Sequence, residues 1–241
     1  MTAAVEIAVQ SAAGARAAID AGADRLELCQ ALEVGGLTPS IALVEAVCDA
    51  VGGERVNVLV RPRGGGFVYD DDEIALVAAD VRAVVARGAG GVVVGALDAE
   101  GRVDREALRR WQAAAGGARV TFHRAIDASA HPDDVLEALL AEGVDRVLTS
   151  GGAARSVEGV ARLARYVTRV AGAVQIMAGG GVTPADIPAI LASGVDAVHL
   201  SARARAGRGA AAGPGGGSDG HDVTDAAVVA AAVAAARAPR G

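Results

Sequence analysis

Val120 to Asp127 reads Val-Thr-Phe-His-Arg-Ala-Ile-Asp, a short β-branched and aromatic run that ends in His123, Arg124 and Asp127. An imidazole with an ordinary pKa of about 6.5 can serve as general acid or base. A guanidinium can anchor an anion, and a carboxylate at Asp127 can orient either group or cap the next helix. Three such groups just past the end of an apolar strand stand where parallel α/β folds place their chemistry, on the loops leaving the carboxyl ends of strands.

Other strands of the chain end in the same way. Side chains alternate along a strand, so in Arg25–Cys29 the outward positions suit Leu26 and Leu28 and leave Glu27 and Cys29 pointing in. The same alternation turns Glu6, Ala8 and Gln10 inward from the first strand, and Asn57, Leu59 and Arg61 from the third. Thr121 and His123 follow from the fifth, His199 and Ser201 from the eighth. Barrel lumens are usually aliphatic. Buried charges are costly unless paired, so Glu6, Glu27, Asn57, Arg61, His123 and His199 must satisfy one another or a ligand. Glu27, Arg61, His123, Asp127 and His199 are therefore the catalytic candidates, with Glu6, Asn57, Arg63 and Arg124 as binding candidates. A purely structural Glu–Arg network filling the lumen is the alternative.

Three small-residue loops complete the set: Ser150-Gly151-Gly152, Gly179-Gly180-Gly181, and Ser201-Ala202-Arg203. Glycine lets backbone N–H groups approach a phosphate or carboxylate, and the loops after strands seven and eight bind phosphate in many barrels. Short strand–helix connections also need such turns. Gly35-Gly-Leu-Thr-Pro-Ser40 can likewise offer N–H groups or simply form a turn and a cap.

The elements that would hold these residues come from a recurring phrase: an Ala-rich helix, a Gly, a small residue, often Asp, then a strand. It occurs at Ala21–Cys29, Arg87–Gly95, Glu142–Ser150 and Ser193–Ser201. A helix closed by glycine and a tight turn into a buried strand is the αβ half of a βα repeat. The pattern predicts strands at Val5–Val9, Arg25–Cys29, Asn57–Val60, Gly91–Gly95, Arg119–Phe122, Arg146–Thr149, Gln175–Ala178 and Ala197–Leu200. Helices are predicted at Ala12–Ala21, Pro39–Val51, Asp71–Arg87, Arg105–Ala114, Pro132–Glu142, Ser156–Val170, Pro184–Ala192 and Asp225–Arg237. Thr38-Pro39 and Thr183-Pro184 read as N-cap followed by N1 proline. Eight such units in 241 residues predict an α/β fold, a single-domain (β/α)8 TIM barrel over 1–241, with an open doubly wound sheet as the other possibility. The stretch 203–222 is nearly all Arg, Ala, Gly and Pro and is expected to be a mobile loop after the last strand.

Composition narrows the function classes. A net charge of −6 argues against a general nucleic-acid binder. Two cysteines, Cys29 and Cys48, are too few for a disulfide framework or a four-cysteine zinc site. No stretch approaches the ~20 apolar residues of a membrane span, and no signal peptide is read at the start, so a cytoplasmic protein is expected. Lysine is absent, which rules out a Schiff-base aldolase mechanism.

Taken together, Leu26-Glu-Leu-Cys29, Gly35-Gly-Leu-Thr-Pro-Ser40, Arg61-Pro-Arg-Gly64, Thr121-Phe-His-Arg124 with Asp127, Leu148-Thr-Ser-Gly-Gly152, Ile176-Met with Gly179–Gly181, and His199-Leu-Ser-Ala-Arg203 resemble the CutC family, in order along almost the whole chain. The resemblance implies a cytoplasmic TIM barrel, often oligomeric and named for copper homeostasis, with copper as its cofactor or cargo and Cys29 as a metal ligand. The chain departs from it in the first strand, where the family's Glu-x-Cys-x-Asp-Ser stands here as Glu6-Ile-Ala8-Val-Gln10-Ser11. The second thiol of a two-thiol site, which Cu(I) favours, has no counterpart there, and Met177 is expected too far from the second strand to share an ion with Cys29. Three functions follow as expectations. One is Cu(I) binding, and another is lyase- or isomerase-type proton chemistry on a small phosphorylated or carboxylated metabolite. The last is a non-catalytic homo-oligomeric scaffold.

Overall fold

The structure is a computed structural model and describes residues 3–207 and 220–239. Eight parallel strands close into a barrel in the order β1 to β8, with β8 pairing back onto β1. They are β1 (Ala4–Val9), β2 (Arg25–Leu28), β3 (Val56–Leu59), β4 (Gly91–Val94), β5 (Arg119–Phe122), β6 (Arg146–Thr149), β7 (Gln175–Gly179) and β8 (Ala197–Leu200). Around them run α1 (Ala12–Asp20), α2 (Ile41–Val51), α3 (Asp71–Ala86), α4 (Arg105–Ala115), α5 (Ala125–Ala128), α6 (Pro132–Glu142), α7 (Val160–Val170), α8 (Ile187–Leu191) and α9 (Ala226–Arg237). The fold is the (β/α)8 barrel read from the sequence. No described helix is long and apolar enough to cross a membrane.

The recurring Asp of the helix–Gly–Asp–strand phrase has a definite task. At the amino-terminal rim, Asp24 Oδ2 accepts from the Val5 N–H at 2.8 Å, Asp145 Oδ2 from the Val120 N–H at 2.7 Å, and Asp196 Oδ2 from the Ile176 N–H at 2.8 Å. In each pair the aspartate's own N–H returns to the carbonyl of the same residue. Each Asp thus clasps the start of its strand to the strand before it, satisfying an N–H that the parallel ladder leaves over at its edge. The fourth copy of the phrase carries Gly90 instead, because a Cβ there would lie 2.8 Å from the Glu54 backbone.

Several boundaries differ from the sequence reading. Thr38-Pro39 is not the cap of α2. Ser40 is, accepting from the Leu43 N–H, because Thr38 is engaged with Arg61, its hydroxyl accepting from the Arg61 N–H at 2.9 Å. Thr183-Pro184 likewise precedes a separate turn in which Thr183 donates to Asp186, and α8 starts only at Ile187. The helix predicted from Ser156 is a 3-10 turn, Ser156–Glu158, followed by α7. The short α5 directly after His123 was not predicted. The expected loop 203–222 begins and ends as strands instead: β9 (Arg203–Ala206) and β10 (His221–Thr224) form an antiparallel ribbon. Arg203 and Arg205 both pair with Asp222. The remainder, 208–219, lies outside the described residues.

Replacing Asp145 by Ala leaves the Val120 N–H without its acceptor. We expect a loss of about 1–3 kcal/mol, seen as a lower urea midpoint at unchanged slope. An unchanged midpoint would remove the clasp from the account of the repeat.

Candidate functional site in the barrel lumen

The lumen is built in storeys. At the amino-terminal end, Arg25 and Arg146, the first residues of β2 and β6, turn their side chains inward beneath Glu6. The Glu6 carboxylate has no exposure. Its Oε2 receives Arg25 Nε at 2.7 Å and Asn57 Nδ2 at 3.2 Å, with Arg146 NH1 at 3.8 Å. Its Oε1 lies 2.9 Å from His199 Nδ1. Arg146 also donates to Thr121 and Gln175, and Arg25 NH2 reaches Met177 Sδ at 3.2 Å. Burial alone would raise the Glu6 pKa, but the His199 bond and the guanidiniums of Arg25 and Arg146 hold it down to about 2.

Glu27 occupies the next storey. One ligand atom from each of Glu6, Glu27 and His199 lies within 4.8 Å of the others. Glu27 is 6% exposed, and among the described residues its Oε2 has no hydrogen-bond partner. Burial, reinforced by the Glu6 charge and opposed by His199, pushes its pKa up to about 7. For His199, burial works against protonation, yet the carboxylates of Glu27 and Glu6 outweigh it and raise its pKa.

Above this column the lumen opens at the carboxyl ends of the strands into a cavity of about 330 Å³, bordered by Glu27, Leu59, Arg61, Phe67, His123, Arg124, Gly180, Gly181, His199, Ser201 and Arg203. Among the described residues its charged border holds three guanidiniums against one carboxylate. Arg61 is clamped in place: NH1 donates to the carbonyls of Val34 and Gly36, NH2 to that of Gly65, and the guanidinium lies 5.2 Å from the Phe67 ring centre. His123 packs on Phe67, ring centres 4.8 Å apart, and over Gly95, where a Cβ would come within 2.5 Å of the imidazole. Burial and the nearby Arg61 charge press the His123 pKa down to about 3.

The expected site residues therefore divide. Glu27, Arg61, His123, Arg124, His199, Gly180, Gly181, Ser201 and Arg203 border one cavity, while Glu6 and Asn57 form the floor beneath it. Asp127 does not border the cavity. It accepts from Arg124 Nε, from the Thr149 hydroxyl and from the Ser150 and Gly152 N–H groups, with the Ser150 hydroxyl also within reach. Expected among the catalytic residues, it instead braces the loop after β6 against Arg124. The N–H groups of Ser150 and Gly152 are taken up by Asp127, and that of Gly151 by Thr149, so this loop is not the anion cradle its glycines suggested. Gly179 ends β7 outside the cavity border. Arg63 is exposed and bonded to Glu73. The sequence reading passed over Arg25 and Arg146, although they share the inward parity of Glu27 and Leu148.

Among the described residues the soft donors do not meet. Cys29 is buried with Leu59 and Val93, its Sγ 3.9 Å from the Val9 carbonyl. Burial, with the Glu27 and Glu33 charges adding to it, pushes its thiol pKa far up, away from the thiolate a metal requires. Met177 was expected too far from the second strand to share an ion with it. Its sulfur does reach across to β2, but against the Arg25 guanidinium. Among the described residues the His, Cys, Asp and Glu side chains converge at Glu6, Glu27 and His199. These are oxygen and nitrogen donors, with Arg25 bonded to Glu6. This donor set does not suit Cu(I), and Cys29, the expected metal ligand, is not part of it.

Comparison with known proteins places these features in a family. The CutC family model matches residues 3–204. A CutC family protein of Xylella fastidiosa is 45% identical over 208 residues, covering 84% of this chain and 76% of that protein. The copper homeostasis protein cutC homolog of Homo sapiens is 41% identical over 200 residues, covering 83% and 73%. The crystal structure of a CutC protein from Streptococcus agalactiae superposes with a TM-score of 0.76 at 28% identity, covering 82% of this chain and 97% of that one.

Between its ordinary value of 4.5 and about 7, Glu27 keeps a proton in the folded chain that the unfolded chain has released. Stability should therefore fall as pH rises through that window, by about 3 kcal/mol for a shift of this size. Glu27→Gln should remove this pH dependence, measured as the urea-unfolding difference between the two proteins from pH 4.5 to pH 7.5. A constant difference would contradict the assignment.

Proposed function

We propose that this chain, which belongs to the CutC family, is an enzyme that binds a small phosphorylated or carboxylated metabolite at the carboxyl-terminal mouth of the barrel and moves a proton on it. The observation that carries this reading is Glu27. A buried carboxyl with an oxygen that has no partner among the described residues, poised near neutrality at the base of a cavity rimmed by guanidiniums, is the arrangement a general acid–base needs.

The parts take separate roles. Glu27 is the proton carrier. His199, tied through Nδ1 to Glu6, keeps its imidazole oriented beside Glu27 and supports the carboxylate form. Arg124 and Arg203 receive the anionic group, and a cavity of about 330 Å³ lies at the lower end of the range for small-molecule sites. Arg124 is positioned for this task by Asp127 and Ser150. Copper handling, which the family's name carries, finds no soft donor pair among the described residues, and no step is assigned to a metal.

Titration with inorganic phosphate and with small hydroxy acids, followed by calorimetry, tests the site. Wild-type protein should bind at least one of them, and Arg124→Ala should weaken binding about tenfold or more, the loss of one charge-assisted hydrogen bond. Glu27→Gln should leave that binding within a few-fold. Absence of binding to the wild type, or indifference to Arg124, would sink the proposal.

A further inference from the structure

We propose that the metabolite carries a carbonyl group, whose oxygen is received by the Nε2–H of His123 while Glu27 takes the proton from the adjacent carbon. This rests on the reading of the cavity as an acid–base site and names the class of substrate it takes.

The tautomer of His123 is set by its surroundings. Nδ1 accepts from the Ala125 N–H at 3.2 Å, at the first turn of α5, so the ring proton sits on Nε2. That nitrogen is buried, and among the described residues it has no partner. A buried donor left without an acceptor is destabilising, and its own neighbours do not relieve it. Phe67 and Phe122 flank the ring at 4.8 and 5.9 Å between centres, Gly95 lies under it, and Arg61 offers only donors. The missing acceptor has to come from the cavity. Arg61 Nε is in the same condition, buried with no partner among the described residues, so two unused donors stand on one wall.

An imidazole held neutral by burial and by the Arg61 charge donates a hydrogen bond without giving up its proton. Such a donor suits an oxygen that gains charge during the reaction and gives it back, as a carbonyl does when its α-proton is removed. An ether or alcohol oxygen gains no charge in that step. Glu27 on β2 stands three strands from His123, which follows β5, and both border the same cavity, so the two groups approach a bound molecule from different sides.

The step balances without another reactant. The Glu27 carboxylate takes the proton from the carbon beside the carbonyl, and the electron pair of that C–H bond forms a C=C bond. The C=O π pair moves onto oxygen, giving an enolate held by His123 Nε2–H, which is an enediolate where the deprotonated carbon carries a hydroxyl. Return of the proton to the same carbon gives exchange, and return to the neighbouring carbon, with proton transfer between the oxygens, gives isomerisation.

The test compares ketones with the alcohols made by reducing them: dihydroxyacetone phosphate against glycerol 3-phosphate, and hydroxypyruvate against glycerate. Binding is read by calorimetry, and exchange of the α-hydrogens in D2O by NMR. Wild-type protein should bind one ketone at least tenfold more tightly than its alcohol and should exchange its α-hydrogens, with the phosphate and carboxylate arms showing which anion is preferred. His123→Asn keeps an acceptor for the Ala125 N–H but places no donor where Nε2 stood. It should lose the ketone preference and slow exchange at least a hundredfold, and His123→Gln should restore part of both. Equal binding of ketone and alcohol by the wild type, with no exchange, would overturn the carbonyl assignment while leaving the anion site intact. No binding of any of the four would overturn the anion site and this inference together. The wild-type comparison decides the matter even if a variant fails to fold.

Discussion

A carboxylate with no exposure sits in the middle of this barrel, and the rest of the lumen is arranged around keeping it charged. Glu6 is tolerated there only because Arg25, Asn57 and His199 bond to it and Arg146 stands close by. Removing any one of them would strand a buried charge or a buried donor, which is why such networks cost several kcal/mol to break. The fixed charge also adds to what burial does one storey higher. Glu27 faces an anion below it and too little water around it, so it holds its proton until near neutrality. The amino-terminal half of the lumen is thus a structural ion network, and its charge adds to the burial that gives the carboxyl-terminal half a titratable group at a useful pKa.

The same division explains how the loops are used. Glycine-rich turns after parallel strands look alike in sequence, but they perform different tasks here. The loop after β6 commits its N–H groups to Asp127 and Thr149 and braces Arg124 from behind. The loop after β7 instead presents Gly180 and Gly181 to the cavity, with Arg124 packed so close to Gly180 that a Cβ there would meet the guanidinium at 3.0 Å. Arg61 is held by three backbone carbonyls from two loops, so it organises the wall on which His123 sits as much as it charges it.

Much of this was legible in the chain itself. Four copies of the helix–Gly–Asp–strand phrase, with the strands read between them, yielded the barrel and all eight strands to within a residue or so, and the period of two brought Glu6, Glu27, Asn57, His123 and His199 into one lumen. The partners that give those residues their properties were harder to see. Arg25 and Arg146 begin their strands, where a long cationic side chain reads as solvated, and only closure of the barrel turns them onto Glu6. Asp127 lies within a run of candidate catalytic residues, yet apart from Arg124 its donors come from 22 to 25 positions further along, a distance no local pattern encodes. Cys29 met the inward parity, but parity says nothing of neighbours, and those neighbours are aliphatic. The ribbon of β9 and β10 was hidden by composition, because Arg-Ala-Arg-Ala alternates without an apolar face.

The most direct measurement of the central relation, a Glu6 kept charged beneath a Glu27 that burial, aided by that charge, holds near neutrality, is a side-chain carboxyl titration by carbon-detected NMR with the two resonances assigned through Glu6→Gln and Glu27→Gln proteins. Glu27 should titrate near pH 7 while Glu6 remains ionised down to about pH 2, and in the Glu6→Gln protein the Glu27 midpoint should fall. Two midpoints close to that of an ordinary glutamate would contradict the account at its root.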